Sequence, residues 1–121
     1  MTKRYWEDFE VGEVREYGSK TVTKEEVIAF GRQFDPQPFH IDEDAANAMP
    51  FGGLLASGWH TGSMFMRMFA DNLLADSASL GAPSIDRLRW TQPVRPGDVL
   101  SVRTTVLSKS SSKSRDRKSV V

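Results

Sequence analysis

The chain has 121 residues, 16 basic and 16 acidic side chains, 39% apolar residues and no cysteine. That size suits one domain, residues 1–121, burying roughly two-thirds of its unfolded surface. The composition excludes disulfides, thiolate catalysis and cysteine-bound metal, and no apolar run reaches the roughly 18 residues a membrane span needs. The start, Met1-Thr2-Lys3-Arg4-Tyr5-Trp6-Glu7-Asp8, lacks the apolar stretch of a secretory signal. The expectation is a cytoplasmic protein with no membrane partner.

The zero net charge is unevenly spread. Residues 1–102 hold ten basic against fifteen acidic side chains, and residues 103–121 hold six basic against one acidic. The basic end could meet nucleic acid or cofactor phosphates, or be a solvated serine-rich turn. The second reading is adopted, and no nucleic-acid partner is expected.

Trp6 and Phe9 precede a turn at Gly12, and Val14 to Val22 reads as a strand with a bulge or bend at Gly18. Thr23-Lys24-Glu25-Glu26 is a capping box. Val27, Phe30, Gly31 and Phe34 then fall at i, i+3, i+4 and i+7, one face of a helix. The helix must end near Phe34, because Pro36 disfavours helical Asp35. The segment Phe34-Asp35-Pro36-Gln37-Pro38-Phe39-His40-Ile41-Asp42 therefore places a carboxylate and an imidazole in a stiff loop, at one separation with little entropy left to lose. Asp42 can cap a short helix through Ala45, Ala46 and Asn47, closed by Pro50 and Gly52-Gly53.

A longer helix is expected from Ser57-Gly58 to about Leu74. Trp59, Met64, Phe65, Met66, Met68, Phe69, Leu73 and Leu74 leave it little polar face, the pattern of a helix buried on nearly every side. Met64, Met66 and Met68 read as core, or as an adaptable apolar lining. From Ser84 the period changes to two: Leu88 and Trp90 alternate with Arg87 and Arg89, suggesting a strand. Gln92 to Asp98 is a turn, Val99 to Leu107 alternates again, Ser108 to Ser114 is a polar reversal, and Lys118 to Val121 begins another β-like run.

This order of elements, with Asp35-Pro36-Gln37-Pro38-Phe39-His40 at its centre, resembles the MaoC-like dehydratase family of hotdog-fold proteins over residues 5 to 121. The family's hydratase motif is Asp-x-Asn-Pro-x-His followed by a short acidic, alanine-rich helix. Here Gln37 replaces the Asn and Phe34 replaces a Gly. The family's next landmark is His-Gly with a serine five residues after the Gly. In this chain Ser57 replaces the His, while Gly58 and Ser63 match. The Pro-x-x-x-Gly-Asp turn is kept as Pro93 to Asp98.

The resemblance implies an α+β hotdog fold, an antiparallel sheet wrapped around a buried central helix, assembled as a homodimer. It also implies an (R)-specific enoyl-thioester hydratase, or the reverse dehydratase, acting on a coenzyme A or acyl-carrier thioester. No separate cofactor is expected. The family has further strands beyond the three counted before Lys118, so the expectation is that the C-terminal strands are missing or altered.

Such chemistry needs a base for water, an acid for the α-carbon and a holder for the charge on the thioester oxygen. Asp35 and His40 are the candidates for the first two. Backbone N–H groups near Gly58 at the helix start are the candidate for the third, with Ser63 implied beside the substrate. Arg87, Arg89 and Arg95 could contact coenzyme A phosphates or form a solvated sheet face. His60 reads as a packed core histidine, and Asp35, His40 and His60 lack metal-ligand spacing, so no metal is expected. The alternatives are an acyl thioesterase, for which the helix offers only Asp71, and a non-catalytic acyl-binding subunit.

Overall fold

The computed structural model describes residues 10–72 and 85–107 in full, and the backbone of 73–74, 109–112 and 117–120. The elements expected around Trp6 and Phe9 lie outside the described residues. Strand β1, Val14–Thr21, pairs antiparallel with β2, Val99–Thr105, from Val14 opposite Thr105 to Thr21 opposite Val99. The register shifts between Tyr17 and Lys20. Gly18 makes that irregularity possible: its φ is +83°, and a Cβ there would lie 2.6 Å from the Met68 sulfur. The bulged strand can thus lie directly against the long helix.

Helix α1, Lys24–Phe34, begins at the expected capping box: Thr23 Oγ1 accepts from Glu26 N–H, and Glu26 Oε2 accepts from Thr23 N–H, both at 3.2 Å. The proline-rich segment is more ordered than a loop. Pro38–Ile41 closes one helical turn, α2, with Pro38 at its first position, where a missing N–H costs nothing. Asp42 then caps α3, Glu43–Asn47, by accepting from Asp44 N–H at 3.0 Å and Ala45 N–H at 3.2 Å. Helix α4, Gly58–Phe69, starts at Ser57 and ends in a π-helical turn over Ala70–Leu74. Val22, Val27, Ala56 and Met64 form the core, with Val94 and Leu100 packed against it.

Three expectations are corrected. Helix α4 packs on β1, β2 and α1 through a single stripe, His60, Met64 and Met68, while Trp59, Phe65 and Met66 are exposed by 64%, 42% and 48%. An all-round apolar sequence tells how many faces a helix could bury, and the two-stranded ribbon covers one. Residues 85–92 form no strand, because alternation makes a strand only where a neighbouring backbone supplies the ladder. Lys109–Ser112, expected within a reversal, is strand β3 and pairs antiparallel with β4, Arg117–Val120. No helix among the described residues is long and apolar enough to cross a membrane.

Candidate active site

Asp35 sits where α1 stops, its N–H still donating to Gly31 O at 2.8 Å. The backbone then turns through Gln37, whose N–H donates to Asp35 O at 2.8 Å and whose carbonyl accepts from His40 N–H at 2.9 Å. These bonds fold the acid-to-histidine segment back on itself. The strip before α4 lies beside it, with Leu55 N–H donating to Phe39 O (3.1 Å) and Ala56 N–H to Val94 O (2.8 Å).

The result is a cluster in which three polar side chains surround the Asp35 carboxylate. His40 Nε2 is 3.3 Å from Asp35 Oδ2, Ser57 Oγ donates to the same oxygen at 2.7 Å, and Gln37 Nε2 donates to Oδ1 at 2.8 Å. His40 and Ser57 are buried. Hydrogen bonds from Gln37 and then Ser57 hold the Asp35 carboxyl below the usual carboxylate range; burial opposes them, and His40 adds a smaller pull downward.

The imidazole is fixed from its other side. His40 Nδ1 meets the carbonyl of Leu55, and a carbonyl only accepts, so Nδ1 carries a proton. In the neutral ring Nε2 is then a bare lone pair facing an ionised oxygen. Two acceptors 3.3 Å apart leave no room for a molecule between them and need a shared proton. The pair is therefore a seat for the proton drawn from a water beside it.

Gly58 opens α4, as expected, beside a cavity of about 230 Å³ lined by residues including Ala56, Thr61, Trp90, Gln92 and Val94. Trp90 is the residue the sequence reading missed. Its indole lies against Gly58 so closely that any Cβ at 58 would collide with it, and it meets Trp59 edge-on at 6.1 Å. Alternation assigned Trp90 to a strand, and no local signal points it at the helix start.

Ser63 lies on the exposed face of α4 and its hydroxyl donates to Trp59 O at 2.8 Å, outside the Asp35 cluster. Arg87 and Arg89 are exposed in the irregular stretch. Arg95 is committed elsewhere, its guanidinium donating to the carbonyls of Phe51 and Gly52 and tethering the Pro93–Asp98 turn to the loop after α3. Asp71 pairs with Arg67 at 2.8 Å, roughly 20 Å along the helix from Gly58 at 1.5 Å per residue.

His60 is a core histidine. It stacks on Phe30 at 4.9 Å and meets Glu26 Oε1 at 3.2 Å through Nε2. Among the described residues, no group of three or more His, Asp or Glu is placed to hold a metal ion.

Residues 8–121 match the MaoC like domain, and the chain belongs to that family. Its alternation of antiparallel strands with a long packed helix is the hotdog fold of its structural neighbours. Among solved structures it is similar to the MaoC-like dehydratase from Rhodospirillum rubrum, at 43% identity and TM-score 0.73, over 91% of this chain and 75% of that one. It is also similar to the R-hydratase PhaJ1 from Pseudomonas aeruginosa, at 29% identity and TM-score 0.68, over 86% of this chain and 65% of that one. A curated relative, the uncharacterized protein YdeM of Bacillus subtilis (strain 168), is 28% identical over 103 residues, covering 85% of this chain and 73% of YdeM. Hydratase or dehydratase chemistry is thus supported at the level of the family.

Proposed function

We propose that the protein is an (R)-specific enoyl-thioester hydratase, or the reverse dehydratase, acting on acyl thioesters of coenzyme A or an acyl carrier. The observation that carries this reading is the facing of His40 Nε2 and Asp35 Oδ2 across 3.3 Å with Nδ1 already bonded to Leu55 O. A water beside this pair gives a proton to Nε2 as its oxygen bonds to the β-carbon. The imidazolium that forms is stabilised by the Asp35 carboxylate. The displaced π electrons move to the thioester oxygen, where backbone N–H groups at the start of α4 accept the charge. The proton on Nε2 then goes to the α-carbon, the carbonyl re-forms, and one water has been added across the double bond.

The thioester must reach the Gly58 end of the cavity, so its entry moves the Trp90 indole aside. The apolar exposed face of α4 supports a homodimer, since a patch of that kind on a monomer marks an association surface. The absence of cysteine agrees with a cytoplasmic site of action. Asp71, exposed, paired with Arg67 and remote from the cluster, disfavours the thioesterase alternative.

The test is loss of the conjugated-thioester absorbance of a short enoyl-CoA. Asp35→Asn and His40→Ala should each lower kcat by about 10²–10⁴ with KM much less changed. Full rates in both variants would sink the mechanism, and absence of turnover in the wild-type protein would favour the non-catalytic binding subunit.

A further inference from the structure

We infer that Ser57 is a positioning residue of this site, holding Asp35 ionised and in the rotamer that faces His40 by linking its carboxylate to the N-terminus of α4. The inference deepens the hydratase reading and rests on it for the role of Asp35. In the sequence Ser57 stands only where the family motif has histidine, and nothing local suggests a task for it beyond capping.

The geometry gives it two tasks at once. Ser57 is 1% exposed, so water does not compete for its hydroxyl. The oxygen accepts from Trp59 N–H at 3.3 Å, the usual work of a helix cap. The single hydroxyl proton is given to Asp35 Oδ2 at 2.7 Å, a length typical of a hydrogen bond to an ionised oxygen. The two bonds run in one direction, N–H to O–H to carboxylate, so each polarises the next. The partial positive charge of the helix end thereby reaches a carboxylate 22 residues earlier in the chain.

The neighbours of the carboxylate show why the hydroxyl matters. The loop after α1 offers Gln37 to Oδ1, and α2 offers His40, the titratable neighbour, to Oδ2. With Nδ1 donating to Leu55, neutral His40 brings only a lone pair to Oδ2. Ser57 is therefore the donor that keeps this oxygen charged while the imidazole is unprotonated. Without it, Oδ2 would take up a proton or rotate away, and Nε2 would lose the partner that stabilises the imidazolium.

The experiment uses Ser57→Gly, since glycine is tolerated at a helix cap nearly as well as serine, with Ser57→Thr as the hydroxyl-retaining control. The Asp35 carboxyl is titrated by carbon NMR in each variant, and kcat and KM are measured alongside. Ser57→Gly is expected to raise the Asp35 pKa by about one unit and to lower kcat about tenfold with KM little changed. Ser57→Thr is expected to restore the low pKa. An unmoved Asp35 pKa in a folded Ser57→Gly protein overturns the inference and leaves Ser57 a cap alone. The NMR arm needs no turnover, so a wild-type protein inactive on enoyl-CoA would defeat the hydratase reading while the carboxylate link is still decided.

Discussion

Gly31 lies against His40 because it has no side chain: a Cβ at position 31 would fall 3.0 Å from His40 Cβ, 3.2 Å from its carbonyl oxygen and 2.8 Å from Ile41 Cγ2. The contact lets the turn carrying the imidazole fold back onto the helix that presents Asp35. In an exposed helix, glycine to alanine would gain up to about 1 kcal/mol. Here Gly31→Ala should instead cost about 1–3 kcal/mol, as overpacking does, and lower kcat more than tenfold by pushing α2 outward. Urea melts and turnover read the two effects; wild-type values in both would mean that α2 can slide freely over α1.

Asp35 and His40 should behave as one unit. Removing either leaves the other without its partner across the 3.3 Å gap, so the double variant Asp35→Asn/His40→Ala should be little slower than either single one. Multiplying single losses in the double variant would show two independent roles and contradict the shared water.

Stability should fall on the acid side in two stages. Burial lowers the pKa of His60, although Glu26 opposes this. Below its ordinary value of 6.5 the unfolded chain binds a proton that the folded one resists, and folding free energy is lost as the pH drops. Burial pushes the Glu26 carboxyl up, but hydrogen bonds from Lys20 and Thr23 outweigh it and hold the pKa at about 2 against an ordinary 4.5. Stability from Glu26 is therefore complete above 4.5 and lost as the pH falls toward 2, and Asp35, also lowered, adds with the same sign. Denaturant midpoints at pH 7, 5 and 3 should decline at each step, and Glu26→Gln should flatten the lower one. A midpoint constant from pH 7 to 3 would contradict both assignments.

The outer face of α4 should hold two copies together. Phe65 and Phe69 stack at 5.4 Å beside exposed Met66, and Trp59 extends the patch. Phe65→Glu should shift sedimentation from dimer toward monomer. Phe65→Ala should cost far less than the roughly 3–5 kcal/mol of a core phenylalanine, because in one chain the ring is 42% exposed. A wild-type protein that sediments as a monomer at low and high concentration would remove the dimer.

What could be read in the sequence was what short-range bonding determines. The Thr23–Glu26 box, the Asp42 cap and the bend at Gly18 each depend on residues a few positions apart, and the structure has all three. The pair Asp35 and His40 was legible for the same reason, since two prolines restrict the chain between them. Burial on α4 was not, because it depends on what else packs against the helix. The strand expected at Leu88 and Trp90 failed because pairing is a property of two segments. Ser57 could not be matched to Asp35, nor Trp90 to Gly58, because those contacts are made across 22 and 32 positions of chain.

Ser57 serves both the helix and the acid, and this inverts a common engineering rule. Aspartate is as good a cap as serine on most helices, so a programme of surface and cap optimisation would choose Ser57→Asp without hesitation. At this helix start it would set a second negative charge against Asp35 and remove the proton that Asp35 receives. The protein's tolerance of thermostabilising changes therefore ends at this turn, and a library meant to harden the fold should leave position 57 alone.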